Sequence, residues 1–308
     1  MLSNRLSKLL FALSAIFLSF TSSLSSPVQA EIITLDITAV DPRFTDLFRR
    51  AEAFWDARIL GYSNTLPRAI QNQLPGDLLI VASTGDFGNP NLLGFAGPTL
   101  ISDVVQGNVF NVFHGNTSRT NQVAVATSAI MVFNNAFLES GSEQDILDVI
   151  IHEMGHALGI GSLWQQNGLL QRVSARGPLQ YVGANARRAF AIEAGVAGLG
   201  RTAFVPVEQQ GGPGTALGHW EDDSPVFNTI SRDRRVEIMT GTLVPNTVCF
   251  VSRTTLASLV DLHYVVKGFN EDELIPLNQL LGTRPILPFT GADAVSYTHL
   301  TLPTIYSV

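Results

Sequence analysis

Cys249 is the only cysteine in the chain, so no disulfide within it is possible in any compartment. Charge is sparse as well: 15% of residues, with 19 Lys and Arg against 26 Asp and Glu and no long basic run. That acidic balance is a poor match for nucleic acid or for an anionic membrane surface. Past the first thirty residues, no stretch reaches the roughly 18 unbroken apolar residues of a spanning helix, so no stable membrane insertion is expected. No internal repeat is present either.

The first thirty residues are what a secretory signal looks like. Arg5 and Lys8 precede an apolar run from Leu9 to Phe20, and a Ser-rich stretch ends in Val28-Gln29-Ala30. Cleavage before Glu31 removes two basic residues and no acidic one, leaving 17 against 26, a net charge of about −9. The expectation is an exported, soluble protein, secreted or periplasmic. At the other end, residues 294–308 (AVSYTHLTLPTIYSV) resemble translated sequencing adapter. They are set aside as probable non-native sequence, and His299 is expected to carry no function. Leu287-Pro288-Phe289-Thr290-Gly291 matches the LPxTG sorting pattern, but no apolar span with a basic tail follows it.

Between these ends the pattern predicts an α+β fold in two subdomains, 31–162 and 163–270, followed by a tail over 271–293. Ile32–Thr38 alternates as a strand does, and Asp41-Pro42 opens a helix whose stripe is Phe44, Leu47, Phe48, Ala51, Phe54 and Trp55. Asp77–Ala82 reads as a strand, the Gly-, Asn- and Pro-rich stretch through Gly97 as a loop, and Val123–Phe133 as a further strand. A strong helix is expected from about Ser142 to Leu158, with Ser142 as N-cap and Gly159 and Gly161 ending it. The second half is expected to be loop-rich and mainly helical, with helices near Ala184–Ala197 and Thr254–Val266 around a Gly-rich turn at 211–214.

The chemistry concentrates in His152-Glu153-Met154-Gly155-His156, inside the strong helix. Residues four apart lie about 40° apart around a helix axis, so both imidazoles leave one face and are able to share a metal. Glu153 is placed to reach a water at that metal without ligating it. Three neutral imidazoles with an open fourth position suit a catalytic Zn2+. The compact HExxHxxGxxH spacing would put the third ligand at 162, which is Ser162. The candidates are then His219, Glu193, His263 and His114. His219 follows the Gly-rich turn, where the chain is free to bend, and Glu221 and Asp222 are suited to support its ring. Glu193 would give a His/His/Glu site.

Taken with these residues, Gly211-Gly212-Pro213-Gly214-Thr215, Gly218-His219-Trp220-Glu221-Asp222, Glu237-Ile238-Met239-Thr240-Gly241, Ala96-Gly97-Pro98-Thr99 and Ala257–Leu262 resemble the leishmanolysin-like metallopeptidases. The likeness runs from about residue 43 to 266 and is greatest to the secreted bacterial branch. It implies a metzincin fold in which a long insertion separates the zinc helix from His219 as third ligand, with Met239 forming the Met-turn beneath the zinc. Departures from the family pattern are visible. Asp223–Val236 lengthens a usually short link, and its Arg232-Asp233-Arg234-Arg235 cluster reads as a solvated loop. The propeptide cysteine and the disulfides of eukaryotic members have no counterpart, and His263 stands where relatives often have Gly.

The implied activity is secreted zinc-dependent endopeptidase action on protein or peptide substrates, with Glu153 taking a proton from a zinc-activated water and passing it to the leaving amine. An extended substrate is expected to pair with a sheet edge near Ala129–Phe133. The competing reading is an exported binding or adhesion protein with a structural or inactive zinc site. Glu153 argues against it, because a structural site has no use for that carboxylate.

Overall fold

The computed structural model describes residues 32–105, 108–113, 123–195, 203–229, 234–244, 247–267 and 297–301. The signal segment, His114, the tail over 271–293 and the LPxTG match lie outside the described residues.

The first half builds a sheet and lays helices on it. β1 (Ile33–Ala39) leads through a short 3-10 turn at Pro42–Phe44, capped by the Asp41 side chain, into α1 (Thr45–Asp56). β2 (Ile59–Tyr62), α2 (Arg68–Gln71) and β3 (Leu78–Gly85) follow. Next come β4 (Leu92–Val105), β5 (Asn108–Phe113) and β6 (Ala124–Asn134), then α3 (Asn135–Ser140) and α4 (Glu143–Ala157). β3 shows why a sheet forms here: Leu78, Ile80 and Ala82 are buried while Leu79 and Val81 face out, the period-2 pattern of a strand with one covered face. β1 and β6 both pair with β3 in parallel, and β4 runs antiparallel to β6.

Two expectations change. The loop expected through Gly97 is confined to residues 86–91, because β4 starts at Leu92 and passes through Gly94, Gly97 and Pro98 while pairing with Phe133–Ala124 of β6. Loop-like composition is overridden by a long register with a strongly β-forming partner. Nor is Ala129–Phe133 an edge, since β6 is hydrogen-bonded to β3 on one side and β4 on the other. An added strand has no place there.

α1 and α4 cover the inner face. Phe48 of α1 meets Phe133 of β6 edge-to-face at 5.1 Å, and the Trp55 indole N–H donates to Ile151 O on α4 at 3.1 Å. These contacts fix α4, with every residue from Ile146 to Ala157 buried, across the sheet.

Among the described residues, the second half carries as much strand as helix and is not mainly helical. β7 (Leu170–Arg172), β8 (Leu179–Tyr181), α5 (Ala184–Glu193) and β9 (Val205–Pro206) are followed by β10 (Arg235–Glu237), β11 (Thr242–Leu243) and β12 (Val248–Phe250). α6 (Arg253–Asp261) and β13 (Tyr264–Val266) complete it. The last helix thus ends five residues before Val266. His263, at φ +70°, turns the chain out of the helix, and β13 pairs with β2. Glycine would adopt that φ without strain, which gives the unusual residue at this position a physical meaning.

One core cluster joins both halves, from Ile32 to Val266. In the second half it is led by Trp164, Tyr181, Trp220 and Phe227, whose rings stack at 4.5–5.6 Å. The Asp223–Val236 segment is accordingly not all solvated. Phe227 and Val236 are buried, and Arg235 lies half-buried over the Phe250 ring. Arg232 and Asp233 fall outside the described residues. At the sheet edge, β14 (Tyr297–Thr301) pairs with β4 in parallel and with β11 antiparallel, although its sequence called for no element. Pairing to an open edge uses backbone groups alone and needs no side-chain pattern. No helix among the described residues is long and apolar enough to cross a membrane.

Candidate metal centre

α4 begins where expected. The Ser142 hydroxyl accepts the Asp145 N–H at 3.2 Å, capping the helix. Two turns on, His152 and His156 project together, 2% and 0% exposed. The helix ends at Ala157, and Gly159 and Gly161, both at positive φ, turn the chain back.

His219 arrives from the far half of the sequence. Its segment leaves the Gly-rich turn and passes Gly161 so closely that the Gly218 carbonyl lies where a Cβ of residue 161 would be. Trp220, the residue after His219, is buried in the aromatic stack and anchors the segment. The three Nε2 atoms converge, with His152 to His156 at 2.9 Å, His156 to His219 at 3.0 Å and His219 to His152 at 3.2 Å.

The other ring nitrogens decide what these contacts are. Nδ1 of His152 donates to Ile238 O (2.5 Å), that of His156 to Ile160 O (2.8 Å) and that of His219 to Thr215 O (2.9 Å). A carbonyl only accepts, so each Nδ1 carries the proton and each Nε2 presents a lone pair. Three inward lone pairs repel one another unless a cation sits between them. Burial also holds the His219 pKa down, to about 4, and keeps its imidazole neutral. Nitrogens about 2.0–2.1 Å from a tetrahedral zinc lie roughly 3.3 Å apart, so the set fits that ion with small adjustment. Among the described residues, His152, His156 and His219 form the one three-residue group of metal-binding type.

Glu153 is wholly buried, and burial raises its carboxyl pKa well above the usual value. Gly94 of β4 packs directly on it, leaving 3.1 Å between the Glu153 carboxylate and where a Cβ would stand. Met239 is buried with its sulfur against Gly155 of α4, and its carbonyl accepts the Trp220 N–H at 3.0 Å. Glu237, which the sequence did not single out, is fully buried and accepts from Met239 N, Ser252 N and Thr255 Oγ1. A small half-open pocket with room for about one water molecule lies beside His152 between α4 and the 236–243 segment, with Val149, Thr242, Leu243 and Cys249 in its wall.

The other candidates lie elsewhere. Glu193 accepts from Arg253 N, Thr254 N and Thr254 Oγ1, so it caps α6 and does not join the cluster. His263 occupies the turn after α6. The ring of His219 is held by a backbone carbonyl, whereas Asp222 accepts from Gly241 N and Thr242 Oγ1 and steadies the chain beyond Met239. Cys249 is buried, and its thiol is pushed well above its ordinary pKa by that burial, so it is inert.

A family model described as leishmanolysin matches residues 114–286, more than half of the chain and every residue of the cluster. The chain belongs to the leishmanolysin family. It is therefore a peptidase by family, and a leishmanolysin-like metallopeptidase by the three-histidine cluster it carries. No curated protein matches it. The mixed sheet with α4 beneath it is compatible with a leishmanolysin-like fold.

Proposed function

We propose that this leishmanolysin-family protein is a secreted, zinc-dependent endopeptidase. The observation that carries the reading is the convergence of three Nε2 lone pairs, each fixed by a carbonyl at Nδ1, beside a buried Glu153. In this reading His152, His156 and His219 hold the ion and Met239 lies beneath it as the Met-turn. When bound, zinc supplies Lewis acidity that polarises a peptide carbonyl and acidifies a water.

The remaining work falls to the protein. Glu153 accepts the water proton on its carboxylate and delivers it to the departing amine nitrogen. Its burial strengthens it as a base and shields the proton from bulk exchange. The three backbone carbonyls at Nδ1 keep the imidazoles in one tautomer and orientation throughout.

An extended substrate is favoured by the space between β4 and β11. β4 carries Gly94 against Glu153, and β11 follows Gly241, whose Cβ position would be 3.6 Å from the His219 ring. The strand lying between them here, β14, pairs on both flanks. A peptide held in the same way runs past the cluster in both directions, as internal cleavage requires. Export rests on the N-terminal Arg5–Ala30 pattern.

The test pairs metal content with casein cleavage in the mature protein and in Glu153→Ala. One zinc per chain in both, with cleavage in the wild type alone, is the expected result. Zinc in both with cleavage in neither, after activation, would favour the binding-protein reading instead.

A further inference from the structure

The peptide group joining Ile238 to Met239 is held at both ends. Its carbonyl oxygen accepts from His152 Nδ1 at 2.5 Å, and its N–H donates to Glu237 Oε2 at 2.6 Å. One amide thus stands between a buried carboxylate and a ring of the metal cluster. The turn that presents it is closed by the Glu237 backbone as well, whose carbonyl accepts Thr240 N at 3.2 Å and Thr240 Oγ1 at 2.7 Å.

The second carboxylate oxygen reaches the other side of the site. Oε1 accepts from Ser252 N at 3.0 Å and from Thr255 Oγ1 at 2.5 Å. Thr255 Oγ1 in turn accepts the Trp220 indole N–H at 2.8 Å, and Trp220 follows His219. Each of these neighbours is a donor toward Glu237, so the arrangement specifies an acceptor-only carboxylate. Leaving such a group inside the core is costly, and a turn alone could be closed by a neutral side chain.

We infer that Glu237 is a positioning residue for the metal centre, its carboxylate acting on His152 through the Ile238–Met239 peptide. The inference rests on the metal reading above. Pull on the amide N–H by the carboxylate increases the charge on the carbonyl oxygen, because hydrogen-bonded groups in series polarise one another. That carbonyl then holds the His152 Nδ1 proton more firmly, which enriches Nε2 as a ligand and fixes the ring plane. Carboxylates bonded directly to ligating imidazoles act this way. Here a peptide group is interposed.

The test compares full-length mature wild type, Glu237→Gln and Glu193→Gln at pH 8. The last is the control, since Glu193 is a half-buried carboxylate also satisfied by donors, but it caps α6 away from the cluster. Zinc affinity is read by chelator competition, and ligand geometry by the visible bands of the Co2+-loaded protein. Glu237→Gln is expected to weaken zinc binding about 10-fold or more and to shift the cobalt bands. Glu193→Gln is expected to lower Tm while leaving both unchanged. Equal affinity and bands in wild type and Glu237→Gln, or equal shifts in both variants, would overturn the inference.

Should Glu237→Gln not fold, the 15N-labelled wild type decides: zinc loading is expected to move the Met239 amide proton, and an unmoved resonance counts against the relay. These readouts follow metal binding and not cleavage, so a chain that holds zinc but cleaves nothing defeats the peptidase reading alone. A wild type that binds no metal defeats both.

Discussion

Gly161 and Gly218 touch backbone to backbone, with the Gly218 carbonyl oxygen occupying the space that any Cβ at 161 would need. The contact joins the exit of α4 to the residue before His219, and so sets how closely the third imidazole approaches the first two.

Gly161→Ala is therefore expected to disturb the site before it disturbs the fold. The substitution forces a side chain into φ +73°, at about 1–2 kcal/mol, and also pushes the 218–220 segment away from α4. Tm should fall by several degrees, and zinc affinity should drop far more than in Gly76→Ala, where a Cβ meets open space. Unchanged zinc affinity in Gly161→Ala would break the proposed link between this contact and the third ligand.

The HExxH helix was readable because its signal is local: a cap at Ser142, an apolar run, and two histidines four apart. His219 was harder: the Gly-rich turn before it and its acidic neighbours favoured it over Glu193, and the resemblance points the same way, whereas Met239 is singled out by the resemblance alone. Glu237 is legible only as the first residue of the Glu237–Gly241 motif, with no sign of its role. Its meaning lies in partners at Ser252 and Thr255, fifteen and eighteen residues on, and in a peptide plane that no pattern shows. The misread elements have similar causes. β4 carries loop-like glycines because one of them must pass Glu153, and α6 is shorter than the sequence pattern suggests because the apolar residues of Tyr264–Val266 belong to β13.

Removing the third imidazole should separate metal binding from folding. In His219→Ala the aromatic stack around Trp220 remains, so the chain is expected to fold, with zinc affinity reduced by at least ~100-fold (from three ligands to two). Ligand-linked stabilisation follows the ratio of free metal to Kd, so zinc should raise the wild-type Tm by several degrees and that of the variant little. Chelation of the wild type should bring the two melting curves together. An equal zinc-induced rise in both proteins would place the ion elsewhere.

Glu237 also gives stability a pH dependence of known sign. Burial raises its carboxyl to about 7 from an ordinary 4.5, against the opposing hydrogen bonds from Ser252, Thr255 and Met239. A raised carboxyl pKa means that the folded state binds more protons than the unfolded state between those values. The contribution is fully present below pH 4.5 and is lost as pH rises through about 7. The depressed His219 acts in the opposite sense, with stability lost as pH falls through about 4, but it is common to both proteins compared. The stability of metal-free wild type relative to Glu237→Gln should thus decline from pH 4.5 to 7 and level off above, as read from urea midpoints. A flat difference across that window would mean that Glu237 ionises at its ordinary pKa.

The last prediction concerns the strand beside the cluster. β14 is held between β4 and β11 by backbone pairing over Tyr297–Thr301, on the flanks that carry Gly94 and follow Gly241. A tethered strand competes with free peptide at millimolar effective concentration when its linker spans the gap. A chain ending at Asp293 lacks that competitor but keeps α1, α4 and the core cluster from Ile32 to Val266. It is expected to fold with a similar Tm and to bind zinc equally well. Its KM for an extended peptide should fall by about 10-fold or more while kcat stays nearly constant, because the cluster itself is untouched. Equal KM in the two chains would mean that peptides approach the histidines by a route other than the space between β4 and β11.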